Sequence, residues 1–251
     1  MTVLPEKYKN DRIAKVIARA GVCSRREAER RIDAGRVTVN GKILDTPAYK
    51  VALSDTILID GEPLPKISAA RLWLYHKPTG EITTHDDPGG RSTVFDNLPI
   101  DRDHIIAVGR LDINSEGLLL LTNDGELARQ LEHPKNGIAR RYKVRVYGDL
   151  IPGQLNGLKT GVRVEGVHYG PIFVDILDKN KNGRNHWLSV TLHEGKNREI
   201  RKVMDHLGLS VNRLSRTAYG PFKLGDLSPG GISEISENKV KQFQKSLENK
   251  A

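Results

Sequence analysis

Arg110, Asp112 and Glu116 fall within one short polar segment of the run 105–125, and their types and spacing are suited to chemistry. A carboxylate can act as nucleophile or acid–base group, and a guanidinium two residues away can orient it or its substrate, provided that both face one cleft. Asp112 and Glu116 could also form a carboxylate pair of the kind that hydrolyses glycosidic bonds. The plainer alternative is that Asp112 and Asn114 only make turn hydrogen bonds. Two aliphatic runs, Ile105 to Val108 and Leu118 to Leu121, flank the segment, and Asn123-Asp124-Gly125 closes the second. Their brevity and bounding turn residues predict two buried strands that pin the loop at both ends, where rigid neighbours hold reactive groups well.

The whole string Gly109-Arg-Leu-Asp-Ile-Asn-Ser-Glu-Gly-Leu-Leu-Leu-Leu-Thr-Asn-Asp-Gly125 resembles the signature of the ribosomal RNA pseudouridine synthases. Within that family it is most similar to the group of small-subunit synthase A and large-subunit synthases B, E and F. The resemblance implies that Asp112 is the family's indispensable aspartate. It likewise implies that Arg110 helps to displace the target base from its stack, the alternative being a structural salt bridge to Asp112 or Glu116. Ser115 stands where many relatives have threonine, which keeps the hydroxyl.

Composition favours a polyanionic partner: 40 Lys and Arg against 31 Asp and Glu give a net charge of +9 over 251 residues. A single cysteine, Cys23, excludes an internal disulfide and any zinc site built on cysteine pairs. No apolar run approaches the ~18 residues of a membrane span, and Met1 to Lys7 lacks the apolar core of a signal peptide. A cytoplasmic protein without membrane contact is expected from these features, and a monomer is expected as well.

Ile13, Val16, Ile17 and Ala20 make one apolar face of a short helix over 12–20 that Gly21 would end. Ser24 and Glu27 form a capping-box pair that starts a second helix, which Ala34-Gly35 stops. Val37 to Val39 runs into Asn40-Gly41 and Ile57 to Ile59 into Asp60-Gly61, two hairpin signals. Between Lys7 and Lys42 there are 11 Lys and Arg against 4 Asp and Glu, with Arg25, Arg26, Arg30 and Arg31 at helical spacing. Such a face could follow phosphates, or it could be a solvated helix face. A helix-turn-helix DNA reader is disfavoured, because the second helix is followed at once by hairpins and carries few Asn or Gln for base edges. The pattern from Ile13 to Gly41 resembles the RNA-binding domain named after ribosomal small-subunit protein S4. That resemblance implies an RNA-contacting surface involving Lys15, Arg19, Ser24, Arg25, Arg26, Arg30, Arg36 and Asn40.

Residues 61–70, with two prolines and no clear period, suit a linker. The expected division is therefore an RNA-binding domain over 1–66 and a catalytic domain over 67–251. In the latter, Arg71 to His76 reads as a strand, and Lys77-Pro-Thr-Gly80 as a turn. His85-Asp-Asp87 lacks partner ligands at useful spacing, and neither a metal nor a cofactor is expected. Pro88 to Asp96 reads as a surface loop entering a short buried segment. Glu126 to His133 predicts a helix that packs Leu127 and Leu131 on the sheet. Arg140 to Tyr147 alternates, with Tyr142, Val144 and Val146 on one face and Arg141, Lys143 and Arg145 on the other. Residues 162–177 and 186–193 read as further strands, and a helix after Asn197 carries Ile200, Val203, Met204 and Leu207 on one face. A last helix begins near Asn238. The class is α+β: a helix pair with short strands, then a mostly antiparallel sheet with flanking helices.

Arg201 lies beside the apolar face of its helix, and a partly buried arginine needs a carboxylate. Asp112 is the expected partner, as it also is by resemblance to the family's Asn-Arg-x-x-Arg segment. Arg198 is expected to hold RNA. Tyr142 could be a core aromatic, whereas the family's Lys/Arg-x-Tyr segment implies that it stacks on the target uracil. The resemblance thus implies conversion of uridine to pseudouridine with Asp112 as nucleophile on a flipped-out base. The segments from Trp187 to Arg201 and from Thr93 to Pro99 are most similar to the large-subunit synthase B branch. This favours 23S over 16S ribosomal RNA as partner, free or within a pre-ribosomal subunit. A non-catalytic RNA-binding assembly factor and a glycoside-type hydrolase using Asp112 and Glu116 are the rival classes.

Overall fold

In the computed structural model of the chain, which describes residues 4–85, 87–98, 104–177 and 183–248, the Ser24 hydroxyl accepts the Glu27 amide at 3.2 Å and opens helix α2 (Arg25–Asp33). Only half of the expected capping box forms, because the Glu27 carboxylate turns to Arg30 and Arg31 instead. Helix α1 (Ile13–Arg19) precedes it, and Ile13, Val16 and Ile17 are buried as their spacing requires. Strands β1 (Val37–Val39), β2 (Lys42–Ile43), β3 (Ile57–Ile59) and β4 (Glu62–Pro63) follow in the antiparallel order β2-β1-β3-β4. Both hairpin turns take left-handed φ at two successive residues, 52° and 80° at Asn40-Gly41 and 54° and 84° at Asp60-Gly61. These are the values that an Asn-Gly or Asp-Gly turn supplies cheaply. Helices and strands enclose one core that includes Ala28, Ile32, Val37, Val51 and Ile57.

The chain divides into two compact units, and the first takes in residues 104–106 and 123–125 as well as those up to Arg71. Within it Arg19 is buried against Asp124 at 3.1 Å, both side chains being 6 % exposed, and donates to the Ser68 carbonyl at 2.8 Å. The stretch read as a linker is tied down rather than free. It contains β4 and the buried Leu64, and the Asn123 side chain bonds the Ala69 carbonyl and the Arg71 amide.

Apart from Ile106 and Gly125, which fall in the first unit, the second is built on β5 (Leu72–Lys77), β6 (Ile106–Val108), β7 (Glu116–Thr122), helix α3 (Gly125–Glu132) and β8 (Arg140–Tyr147). Then come α4 (Pro152–Gly157), the hairpin β9 (Val162–Val164) and β10 (Val167–Tyr169), β11 (Ile172–Ile176), β12 (Asn185–Leu192) and α5 (Glu199–His206). It closes with β13 (Ser210–Tyr219), β14 (Phe222–Lys223), β15 (Ile232–Glu234) and α6 (Glu237–Glu248). The main sheet runs β11-β12-β8-β13-β7-β5-β15, with β14 on β13 and β6 on β7. Of the registers described, only β7 with β13 is parallel, so the expectation of a mostly antiparallel sheet holds. Leu118 to Leu121 are all fully buried because β7 lies mid-sheet with both faces covered, which a continuous apolar run signals. Strand β8 instead alternates buried and exposed along its whole length, with Tyr142, Val144 and Val146 inward.

Candidate active site

The loop between β6 and β7 is held at almost every residue by a different part of the second unit. The Gly109 amide donates to Glu132 at 2.6 Å, and Thr83 Oγ1 both accepts the Leu111 amide and donates to the Leu111 carbonyl. The Gly80 amide donates to the Ile113 carbonyl at 2.8 Å, Arg201 to the Asn114 carbonyl at 2.9 Å and Lys77 to the Ser115 carbonyl at 2.9 Å. The Asp112 carbonyl accepts the Ser115 amide, which closes the turn. With the main chain satisfied in this way, the Asp112 carboxylate is left for other work. It stays 31 % exposed with Arg198 Nη1 at 3.5 Å. The turn-only alternative for Asp112 is therefore not what the structure shows.

Arg198 is the ion partner of Asp112, in place of the expected Arg201. Arg198 caps α5 with a left-handed backbone, φ 52°, rare for a residue with a side chain, and its guanidinium reaches the loop from there. Arg201, one turn further, uses Nη1 on the Val211 carbonyl and Nη2 on the Asn114 carbonyl. Asp112 still acts on Arg201 electrostatically, whereas burial and then the like charge of Arg198 lower the pKa of its guanidinium. Two guanidiniums thus flank one carboxylate, one on its side chain and one on its loop.

Arg110 is exposed and, among the described residues, has no hydrogen-bond or ion-pair partner. Glu116 lies on strand β7 rather than in the loop, and Arg213 takes it at 2.6 Å. The structural salt bridge considered for Arg110 is thereby absent among the described residues, as is an Asp112–Glu116 pair left free of cations. Tyr142 is 8 % exposed on β8, opposite Arg216 of β13, which itself pairs with Gly117 at the start of β7. The sheet so places Tyr142 two strands from the strand that the loop feeds.

Lys77 was legible only as a turn residue, yet it is wholly buried, and its ammonium bridges the Pro78 and Ser115 carbonyls at 2.8 and 2.9 Å. Burial lowers its pKa to about 8, opposed by Glu81, Asp112 and Glu116. The signal was present in its alternation with Trp73 and Tyr75, which puts it on their face of β5. Glu199, the first residue of α5, is also buried. Its carboxylate accepts the Lys196 amide at 3.1 Å while Oε1 has no partner, and burial, with Glu194 adding to it, raises its pKa to about 7.

A folded pKa raised above the ordinary glutamate value means that the folded state binds the extra proton. Stability from this group is full below about 4.3, the unfolded value, and lost as pH rises through 7. Glu199→Gln mimics the protonated form. Its melting temperature is expected to match the wild type near pH 4, to exceed it increasingly up to about pH 7 and to keep that lead above it. Parallel melting curves at all pH values would remove this role from Glu199.

In the first unit, Arg25, Arg26, Arg30 and Arg36 are exposed and Lys15 is half-buried. Most of these charges are matched locally: Lys15 by Asp11, Arg25 by Glu29, Arg30 by Glu27 and Arg36 by Asp60. Arg26 alone of them has no partner among the described residues. Ser24 serves the α2 cap, and Asn40 holds its turn through Asp55 and the Thr56 amide. Arg19 is buried rather than presented on the surface, because Asp124 and the Ser68 carbonyl claim its guanidinium. His85 stacks on Phe95 and Asp87 pairs with Arg91, while Asp86 lies outside the described residues. Among the described residues no group of three or more His, Cys, Asp or Glu could hold a metal ion, and no helix is long and apolar enough to cross a membrane.

The site is thus a pinned loop that displays one carboxylate, with Arg198 on its side chain and Arg201 on its main chain, in a mostly antiparallel sheet. Residues 71–206 match the model of the RNA pseudouridylate synthase family, and residues 11–57 match the S4 domain. The chain belongs to the RNA pseudouridylate synthases, enzymes that isomerise uridine in RNA. It is 47 % identical over 235 residues to an RNA pseudouridine synthase of Rickettsia typhi, covering 92 % of this chain and 94 % of that one. It is 44 % identical over 236 residues to ribosomal large subunit pseudouridine synthase B of Escherichia coli K12, covering 90 % of this chain and 79 % of the other. A crystal structure of a pseudouridylate synthase shares the fold with a TM-score of 0.66 at 23 % identity, covering 92 % of this chain and 99 % of that one.

Proposed function

We propose that the protein converts a uridine of 23S ribosomal RNA to pseudouridine with Asp112 as the nucleophile. The observation that carries this reading is the Asp112 carboxylate itself, partly exposed beside Arg198 on a loop whose main chain is bonded from Glu132, Thr83, Gly80, Arg201 and Lys77. Similarity to large subunit synthase B over 90 % of the chain supports ribosomal RNA, and 23S in particular, as substrate.

The reaction breaks the bond from ribose C1′ to uracil N1, turns the base in place and joins C1′ to C5. The C5 proton leaves and N1 gains one, so nothing is gained or lost overall. The carboxylate can add to the uracil ring or act at the sugar to assist a glycal. Either way the freed base must be retained and water kept out, since water would convert isomerisation into hydrolysis. The stacking partner proposed for that base is Tyr142, which the alternation of β8 turns to the inward face of the sheet.

Swinging a base out of folded RNA costs a few kcal/mol, and Arg110, exposed and unpaired among the described residues, is the side chain proposed to fill the gap. Arg110→Ala is expected to slow turnover on folded RNA about tenfold or more while changing turnover on an unstructured fragment little. Equal losses on both substrates would remove the base-displacement role.

Incubating the protein with unmodified 23S and 16S RNA and mapping pseudouridine by chemical labelling and primer extension tests the reading. One new site in 23S is the expected result. A site in 16S alone would overturn the substrate, and release of free uracil would establish a hydrolase. Binding of both RNAs and of isolated subunits without any modification would favour an assembly factor.

A further inference from the structure

The outward face of the β11-β12-β8-β13 half of the sheet carries none of the residues proposed for the reaction. Arg141, Lys143 and Arg145 point out from β8, the side opposite to Tyr142. Register places Thr191, Ser189 and Trp187 of β12 beside them in that order. On the other side Ser215 of β13 lies beside Lys143 and Arg213 beside Arg145, and Thr217 bonds the Arg141 carbonyl. Phe173 of β11, 43 % exposed, continues the row of Thr191, and Lys143 Nζ lies 4.7 Å over the Trp187 ring. Among the described residues none of the three β8 cations is ion-paired. Arg213 is matched by Glu116, and Asp175 of β11 adds one more acid to this face.

Alternate residues of a strand recur about every 6.8 Å, so the three cations form a straight row with steps comparable to those between phosphates of an extended strand. Hydroxyls of Ser189, Thr191 and Ser215 flank the row, and two aromatic rings stand at its margin. Cations that follow a backbone, combined with rings on which bases stack, are how flat sheet faces take single-stranded RNA. An acidic polypeptide would use the cations and leave the rings idle.

We propose that this face binds a single-stranded segment of the substrate RNA, its phosphates on Arg141, Lys143 and Arg145 and its bases against Trp187 and Phe173. The inference rests on the reading that the protein acts on RNA, and it adds an RNA contact on the far side of the sheet from Tyr142.

The test compares wild type, the triple variant Arg141→Ala, Lys143→Ala, Arg145→Ala, and Trp187→Leu, all as full chains with their melting temperatures checked. Binding of an unstructured RNA of about 12 nucleotides is followed by fluorescence anisotropy between about 50 and 200 mM salt. The triple variant is expected to bind at least about tenfold more weakly at low salt, with the slope of log affinity against log salt shallower by about 2. Tryptophan emission should be quenched on binding in the wild type and not in Trp187→Leu, because Trp73 is buried. Unchanged affinity and slope in the triple variant would overturn the proposal. So would a quench of equal size in Trp187→Leu. Pseudouridine formation on ribosomal RNA is read separately in the same preparations. A wild type that binds through this face but forms no pseudouridine would sink the enzymatic reading and leave this one standing.

Discussion

Asp112→Asn is expected to leave a protein that folds and binds RNA but forms pseudouridine at least about 10,000-fold more slowly than wild type, as the proposed nucleophile would be lost. Losing a nucleophile typically costs that much or more, since the remaining groups can only bind and orient. Asparagine keeps the volume of the side chain, and the loop does not depend on the carboxylate. Its hydrogen bonds run through the main chain at Gly109, Leu111, Ile113, Asn114 and Ser115. Single-turnover kinetics with the mapped RNA, together with a melting curve, separates chemistry from folding. A variant within about tenfold of wild type would exclude Asp112 as nucleophile. A large fall in melting temperature would show that the pair with Arg198 holds the structure together.

The largest expected loss of stability comes from one methyl group at Gly117. This residue sits at the start of β7 with φ +99°, and a Cβ there would lie 2.7 Å from the Arg216 nitrogen, 2.8 Å from Ser215 Oγ and closer still to the Arg216 carbonyl. The parallel contact of β7 with β13 consists of two registers, Ser215 with Glu116 and Arg216 with Gly117. Alanine must therefore strain its backbone and also push β13 away from the place where it joins the other half of the sheet. Strain and overpacking together are expected to cost about 3 kcal/mol or more, lowering the melting temperature by roughly 5–10 °C. Gly157→Ala is the control, since its Cβ would meet nothing within 4 Å, and it should change stability by no more than about 0.5 kcal/mol. Equal melting temperatures for the two variants would show that β13 can shift freely.

Local pattern made much of this architecture readable in advance. The Ser24 cap, the Asn40-Gly41 and Asp60-Gly61 turns, the inward Tyr142, Val144 and Val146, and the buried Ile200, Val203 and Met204 all follow from short-range rules. Pairing between distant segments was not readable. Nothing near Ser210 to Tyr219 announces a ten-residue strand that lies antiparallel to β8 and parallel to β7. The same limit applies at the site. Helical periodicity placed Arg201 beside an apolar face, but the Asp112 partner is Arg198, whose left-handed backbone redirects its side chain in a way that no periodicity encodes. Arg19 looked like one more surface cation of a basic helix until the fold supplied Asp124, far along the chain, to bury it.

The late position of β13 and α5 in the chain sets the order in which the molecule can become competent during synthesis. The loop carrying Asp112 leaves the ribosome early, but Arg198, Arg201 and the strand that pairs with Glu116 and Gly117 follow roughly a hundred residues later. Until that stretch has emerged and docked, β5 and β6 already flank β7, but its Glu116-Gly117 end lacks the strand that joins it to the other half of the sheet. A nascent chain halted before α5 and β13 would thus hold the two halves of the sheet unjoined, with neither arginine yet on the Asp112 loop.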